Sequence, residues 1–182
     1  MKTFFFVYIL FVLLRILLFP LFLSIPLFAW AISYFLDLVD YGAALRGGIT
    51  YRTYQSADKI LDVIFRIYML ISVYYLQFPF AWIFLVLFFI RSLGDVLYFK
   101  TRNERHYFLF PNVMEFFYPL YLLWLAFGRA TPYSFTLLGG CLFISIVFKI
   151  VHEYALHIHN WIDPLSLTYI KDHPEHGRAL RK

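Results

Sequence analysis

The sequence predicts an all-α fold, an integral membrane bundle of six transmembrane helices, and three observations carry the prediction. Of 182 residues, 62% are hydrophobic and 15% charged, against about 45–50% and about 25% in an ordinary soluble domain. The apolar residues form long blocks close to the ~20 residues needed to cross a bilayer. Lys and Arg collect between alternate blocks, the asymmetry expected of cytoplasmic loops.

The first block runs from Phe4 to Phe22 and the second from Ile25 to Val39, with Pro20, Ser24 and Pro26 between them. Charge placement favours a tight hairpin here over one long helix. With six spans, Lys2, the Tyr41–Ala57 loop carrying Arg46 and Arg52, the loop with Lys100, Arg102 and Arg105, and the C-terminal tail share one side. The other side holds Arg129 alone, so both termini are expected to be cytoplasmic. Ala29-Trp30-Ala31 has the A-x-A form of a signal-peptidase site. The apolar stretch before it is longer than a 7–15-residue h-region and carries Arg15, so an uncleaved span is expected.

The third block spans Ile60 to Leu76, the fourth Phe78 to Phe99, the fifth Tyr107 to Phe127 and the sixth Tyr133 to His157. Residues 1–159 therefore read as one transmembrane domain, and 160–182 as a polar cytoplasmic tail. One cysteine, Cys141, excludes an intramolecular disulfide. The net charge of +5 fits cytoplasmic loops and anionic lipid headgroups, and nucleic acid is not expected as a partner.

The acidic residues are concentrated. Four of the seven aspartates, Asp37, Asp40, Asp58 and Asp62, lie within 26 residues. Asp37 and Asp40 are three apart at the end of the second block, and Asp58 and Asp62 are four apart at the start of the third. Each pair shares a helix face, and one loop joins the two helices at one surface. Four carboxylates converging at an apolar boundary need a cation, and an oxygen-rich site suits Mg²⁺, Mn²⁺ or Ca²⁺ rather than zinc or copper. The plain alternative is that each aspartate caps a helix or pairs with Arg46, Arg52, Lys59 or Arg66.

The run Asp37-Leu-Val-Asp40-Tyr-Gly42-Ala-Ala-Leu-Arg46, followed by Asp58-Lys-Ile-Leu-Asp62, resembles the signature of the CDP-alcohol phosphatidyltransferase family, D-x-x-D-G-x-x-A-R and then G-x-x-x-D-x-x-x-D. The aspartate spacing matches. Tyr41 separates Asp40 from Gly42, Leu45 stands in the place of the family's alanine, and Tyr54 in that of its second glycine. Arg15 is similar to a basic residue often found early in the family's first span.

The resemblance implies six spans and a phosphatidyltransferase active in phospholipid biosynthesis. Asp37, Asp40, Asp58 and Asp62 would hold two Mg²⁺ or Mn²⁺ ions on the pyrophosphate of a CDP-linked lipid or alcohol donor. Asp62 would also act as general base on an acceptor alcohol. Gly42 and Arg46 would meet the nucleotide, while Lys59 and Arg66 would meet acceptor or phosphate charge. CMP would leave. A homodimer is common in the family.

Two other readings stay open: a non-catalytic cation-binding membrane protein or transporter, and a His-dependent metalloenzyme built on His152, His157 and His159. His152 and His157 diverge by about 140° around a helix, which favours an interfacial belt over a metal site. Arg91 and Asp95 are placed to pair at i,i+4. Glu115 needs a buried partner such as Arg66 or Arg15. Gly139-Gly140 suits a close helix crossing.

Overall fold

The computed structural model describes residues 2–101, 106–127 and 135–154, and every regular element among them is a helix. Three stretches, Thr3–Ser24, Ala81–Thr101 and Phe135–Glu153, are long and apolar enough to cross a membrane, and Val113–Phe127 is a shorter apolar helix. The second and third sequence blocks fall short of that standard. Their helices carry the aspartates, Arg46, Lys59 and Arg66. The outer faces display Leu17, Phe28, Phe35, Phe89, Val96, Phe143 and Phe148, an apolar surface consistent with membrane association.

The chain opens with α1 (Lys2–Leu17), a short α2 (Phe19–Ser24) and α3 (Pro26–Arg46). Pro20 and Pro26 occupy the first turns of α2 and α3, where a missing N–H is harmless. Ile25, with φ −134° and ψ 65°, breaks the helix between them. The expected hairpin is present. Gly47, just past α3, lies against the start of α1, where a Cβ would sit 2.9 Å from backbone atoms of Phe5.

The loop expected over Tyr41–Ala57 is corrected to four residues, 47–50. Both helices run on past their apolar blocks: Ala43, Ala44, Leu45 and Arg46 are strong helix formers that carry α3 beyond Gly42, and α4 before Ile60 holds no Gly or Pro. Gly48 takes φ 83°, and the Thr50 hydroxyl accepts from the Thr53 N–H to cap α4 (Tyr51–Tyr75). A turn with Gln77 and Phe80 at positive φ leads to α5 (Ala81–Thr101).

The fifth block is not one helix. Pro111 follows a short α6 (His106–Leu109), and α7 (Val113–Phe127) begins two residues later. The last described helix is α8 (Phe135–Glu153). Its expected end at His157, and the polar tail 160–182, lie outside the described residues, as do Arg102, Arg105 and Arg129.

Aromatic side chains hold the bundle's centre. Phe22, Phe84, Phe117, Tyr118 and Tyr121 are fully buried among Phe65, Met69 and Val73. The Ser72 and Tyr118 hydroxyls share a 2.6 Å hydrogen bond, and Tyr121 donates to the Pro79 carbonyl, so each phenol keeps a partner. Trp30 Nε1 donates to the Glu115 carbonyl at 2.9 Å and ties α3 to α7. This packing brings the polar faces of α1, α3 and α4 together.

Candidate functional site: a carboxylate cluster around Arg15

Asp37 and Asp40 on α3 meet Asp58 on α4, and one carboxylate oxygen from each lies within 4.8 Å of the others. The i,i+3 spacing puts the first two on one face, and the short 47–50 turn folds α4 back against it. Asp62, one turn further along α4, lies outside this three-carboxylate group and joins the cluster through the cations. Asp40 is fully buried.

At the centre lies a cation that helical spacing alone does not place there. Arg15 of α1, 4% exposed, places Nη1 2.9 Å from Asp37, 2.9 Å from Asp40 and 3.9 Å from Asp58, with Nη2 3.6 Å from Asp62. Lys59 Nζ lies 3.0 Å from Asp58 and 3.6 Å from Asp62. Of the four partners proposed for the plain alternative, Lys59 alone contacts these aspartates among the described ion pairs. With all four carboxylates ionised, the two cations leave a formal charge of −2 on the cluster.

Tyr54 closes the buried side. Its hydroxyl donates to Asp40 Oδ1 at 2.7 Å, and its ring packs on Tyr41 at 5.0 Å between centroids. Tyr41 and Tyr54, both departures from the family's glycine pattern, are thus packing partners. Leu45, the third departure, is buried.

A second network continues from α4 across the bundle. Arg66, fully buried, pairs with Asp95 on α5. Asp95 also lies 3.7 Å from Arg91 Nε, and Arg91 Nη1 is 3.6 Å from Glu153 on α8. Lys149 Nζ then spans Glu153 at 3.4 Å and Glu115 at 2.7 Å. Three cations face three carboxylates, so this network neutralises itself. Tyr107 of α6 covers it, with the Arg91 guanidinium 3.9 Å and the Lys59 ammonium 5.1 Å from its ring centre.

Several sequence expectations are corrected here. Glu115 pairs with Lys149, not with Arg66 or Arg15, because α8 rather than α1 or α4 brings a cation to its carboxylate. Arg91 and Asp95 do approach each other, but Arg66 is the closer partner of Asp95. Gly139 and Gly140 are not at a close crossing, since a Cβ at either meets nothing within 4 Å. Lys149 was not singled out by the sequence reading, although a lysine inside an otherwise apolar segment, with Glu153 four residues on, is a signal for a buried pair.

The residues expected to bind substrate separate into two groups. Lys59 belongs to the cluster, and Arg66 belongs to the second network. Arg46 is exposed, with its guanidinium 5.6 Å from the Phe4 ring centre, and Gly42 faces open space where a Cβ would meet nothing. His152 sits 3.4 Å from Lys149 Nζ and against the Phe116 ring, while His157 and His159 lie outside the described residues. Asp37, Asp40 and Asp58 are the metal-capable group among the described residues.

The three converging carboxylates form an oxygen-only donor set. One oxygen from each lies within 4.8 Å of the other two, near enough for the three to share one oxygen-preferring divalent ion once they close around it. The uncompensated charge equals that of one divalent ion. No family model, curated protein or solved structure matches the chain.

Proposed function

We propose that this chain is a membrane enzyme that uses a divalent cation to transfer a phospho-alcohol group from a CDP-linked donor to an acceptor alcohol. The observation that carries the reading is the convergence of Asp37, Asp40 and Asp58 with two negative charges left over. Asp37, Asp40 and Asp58 would hold the ion, Mg²⁺ or Mn²⁺, which when bound neutralises phosphate oxygens during displacement at phosphorus. The charge balance supports one ion with Arg15 in the place of a second.

In this reading Asp62 takes the proton of the acceptor hydroxyl, whose oxygen attacks the donor's phosphorus as the bond to CMP breaks. Lys59, between Asp58 and Asp62, orients both carboxylates. Tyr54 holds Asp40 in place. Arg66, tied to Asp95, positions α4 and is not assigned to substrate.

We further propose six crossings, made by α1 with α2, and by α3, α4, α5, α7 and α8, with both termini cytoplasmic. The antiparallel α1–α3 pair and the basic residues at its open end support this arrangement. The test of activity is CMP release by the purified full chain from CDP-linked lipids and alcohols, with Mg²⁺ or Mn²⁺ and with EDTA. Activity that needs the cation, and falls at least a hundredfold in Asp62→Asn, supports the reading.

A second reading has its own observation. Arg15 touches all four aspartates, so it can serve as the permanent counterion of a non-catalytic membrane protein. No CMP release from any CDP-linked donor, together with no Mn²⁺ bound at the cluster, favours that reading. Mn²⁺ bound without CMP release favours a non-catalytic cation-binding protein or transporter.

A further inference from the structure

Arg15 occupies the space that an ion at this cluster would need. Its Nη1 lies 2.9 Å from Asp37 Oδ1, 2.9 Å from Asp40 Oδ2 and 3.9 Å from Asp58 Oδ1. These are the same three carboxylates whose oxygens converge within 4.8 Å. A divalent ion shared by them stands about 2.0–2.6 Å from an oxygen of each. A nitrogen that approaches all three already fills the middle of the group, so ion and nitrogen exclude one another there by size and by charge.

The guanidinium is an incomplete partner for these oxygens. Nη1 donates a hydrogen bond to Asp40 Oδ2, whereas Asp37 Oδ1, at the same distance, is buried and accepts none. Arg15 Nε–H is likewise buried without an acceptor. Donors fixed in one plane cannot serve three carboxylates on different sides, and an ion without directed bonds can. The guanidinium also has somewhere to go. Nη2 is already 3.6 Å from Asp62, outside the three-carboxylate group, and a void with room for about one water borders Arg15, Asp62 and Glu115. A pivot about the Asp62 contact withdraws Nη1 and keeps the Arg15 charge paired. Asp37, its side chain 33% exposed, is the open side of the group.

We propose that Arg15 is a tethered competitor for the cation and sets which ions enter. It holds the three carboxylates when no ion is bound, yields them to a divalent ion by pivoting onto Asp62, and keeps monovalent ions out. A monovalent ion in the place of Nη1 brings no extra charge and forfeits the charge-assisted bond to Asp40, while a divalent ion brings one charge more. The exchange requires the cation reading above and does not require the transfer chemistry.

Mn²⁺ binding by the purified full chain, followed through the electron paramagnetic resonance of free Mn²⁺, tests this in the unaltered protein and in Arg15→Ala. Arg15→Ala should bind Mn²⁺ about tenfold more tightly or better. Free guanidinium should then refill the vacated place, so that the apparent Kd of Arg15→Ala for Mn²⁺ rises in proportion to guanidinium, with N-methylglucamine holding the ionic strength constant. Under the same control, K⁺ should weaken Mn²⁺ binding in Arg15→Ala and leave that of the unaltered chain unchanged. An Arg15→Ala affinity no higher than the parent's, or one that guanidinium does not lower, overturns the inference and leaves the cation reading standing. Mn²⁺ bound by neither chain overturns both. Where Arg15→Ala does not purify as a single species, a structure of the unaltered chain with Mn²⁺ decides: Arg15 paired with Asp62 and clear of Asp37 and Asp40 supports the exchange, and Arg15 still touching both beside a bound ion overturns it. The exchange intact without CMP release refutes the transfer reading alone.

Discussion

Arg15 is the most informative residue to replace. In Arg15→Gln the four aspartates keep only Lys59, and the cluster's uncompensated charge rises from two to three. Each of the two 2.9 Å contacts is worth about 6 kcal/mol of gross attraction at an effective dielectric of 20. Desolvation cancels much of that, and losing one partner of a buried ion pair typically costs about 3–5 kcal/mol. For a chain of this size the loss corresponds to about 6–20 °C in apparent melting temperature. A divalent ion at a hundred times its dissociation constant restores about 2.7 kcal/mol. The assay is thermal denaturation in detergent, followed by size-exclusion recovery, with EDTA or with millimolar Mg²⁺, Mn²⁺ or Ca²⁺. Arg15→Gln should melt far below the unaltered protein in EDTA and regain about half of the loss or more with cation. A variant as stable as its parent in EDTA, or one that no divalent ion rescues, refutes the reasoning.

Four further outcomes follow from the packing of the bundle. Tyr54→Phe removes the 2.7 Å hydrogen bond to the buried Asp40 carboxylate, and should cost about 1.5–3 kcal/mol with helix content unchanged by circular dichroism. Lys149→Met strands Glu115 and Glu153 and should cost about 3–5 kcal/mol, with Glu115→Gln in the same chain recovering part of it in a double-mutant cycle. Gly94→Ala sets a Cβ 2.8 Å from the Phe110 Cβ and should destabilise by about 1–3 kcal/mol. Gly42→Ala, in open space within α3, should stabilise by about 0.5–1 kcal/mol, and melting curves of the two glycine variants should move in opposite directions.

Helical spacing made the aspartate pairs legible, because three- and four-residue offsets on two helices joined by one turn leave little choice of face. The hairpin of α1 and α3 was legible for a similar reason, since Pro20, Pro26 and the basic residues all mark the same fold-back. Arg15 was visible as a charge in an apolar block, but periodicity cannot say which helix a side chain faces across the bundle. Glu115 shows the same limit: its need for a cation was evident and the identity of the cation was not. The helix limits at Tyr51 and Phe110–Asn112 were missed because hydropathy follows burial, whereas capping by Thr50 and the constraint of Pro111 set the ends. Tyr41 and Tyr54 looked like isolated departures from a motif until their contact made them a pair.

The distribution of these charges has a consequence for how the chain enters an apolar phase. Near the bundle's polar layer, α5 carries Arg91 with Asp95, and α8 carries Lys149 with Glu153. α4 carries Asp58, Lys59, Asp62 and Arg66. Each of these helices brings its own counterions and can leave water as a nearly neutral rod. In the first hairpin the apolar length of α1 carries Arg15 with no acidic residue on its own helix, and its nearest partners, Asp37 and Asp40, lie on α3. Arg15 finds its nearest counterions only when α3 lies beside α1, so burial of its charge couples the two helices.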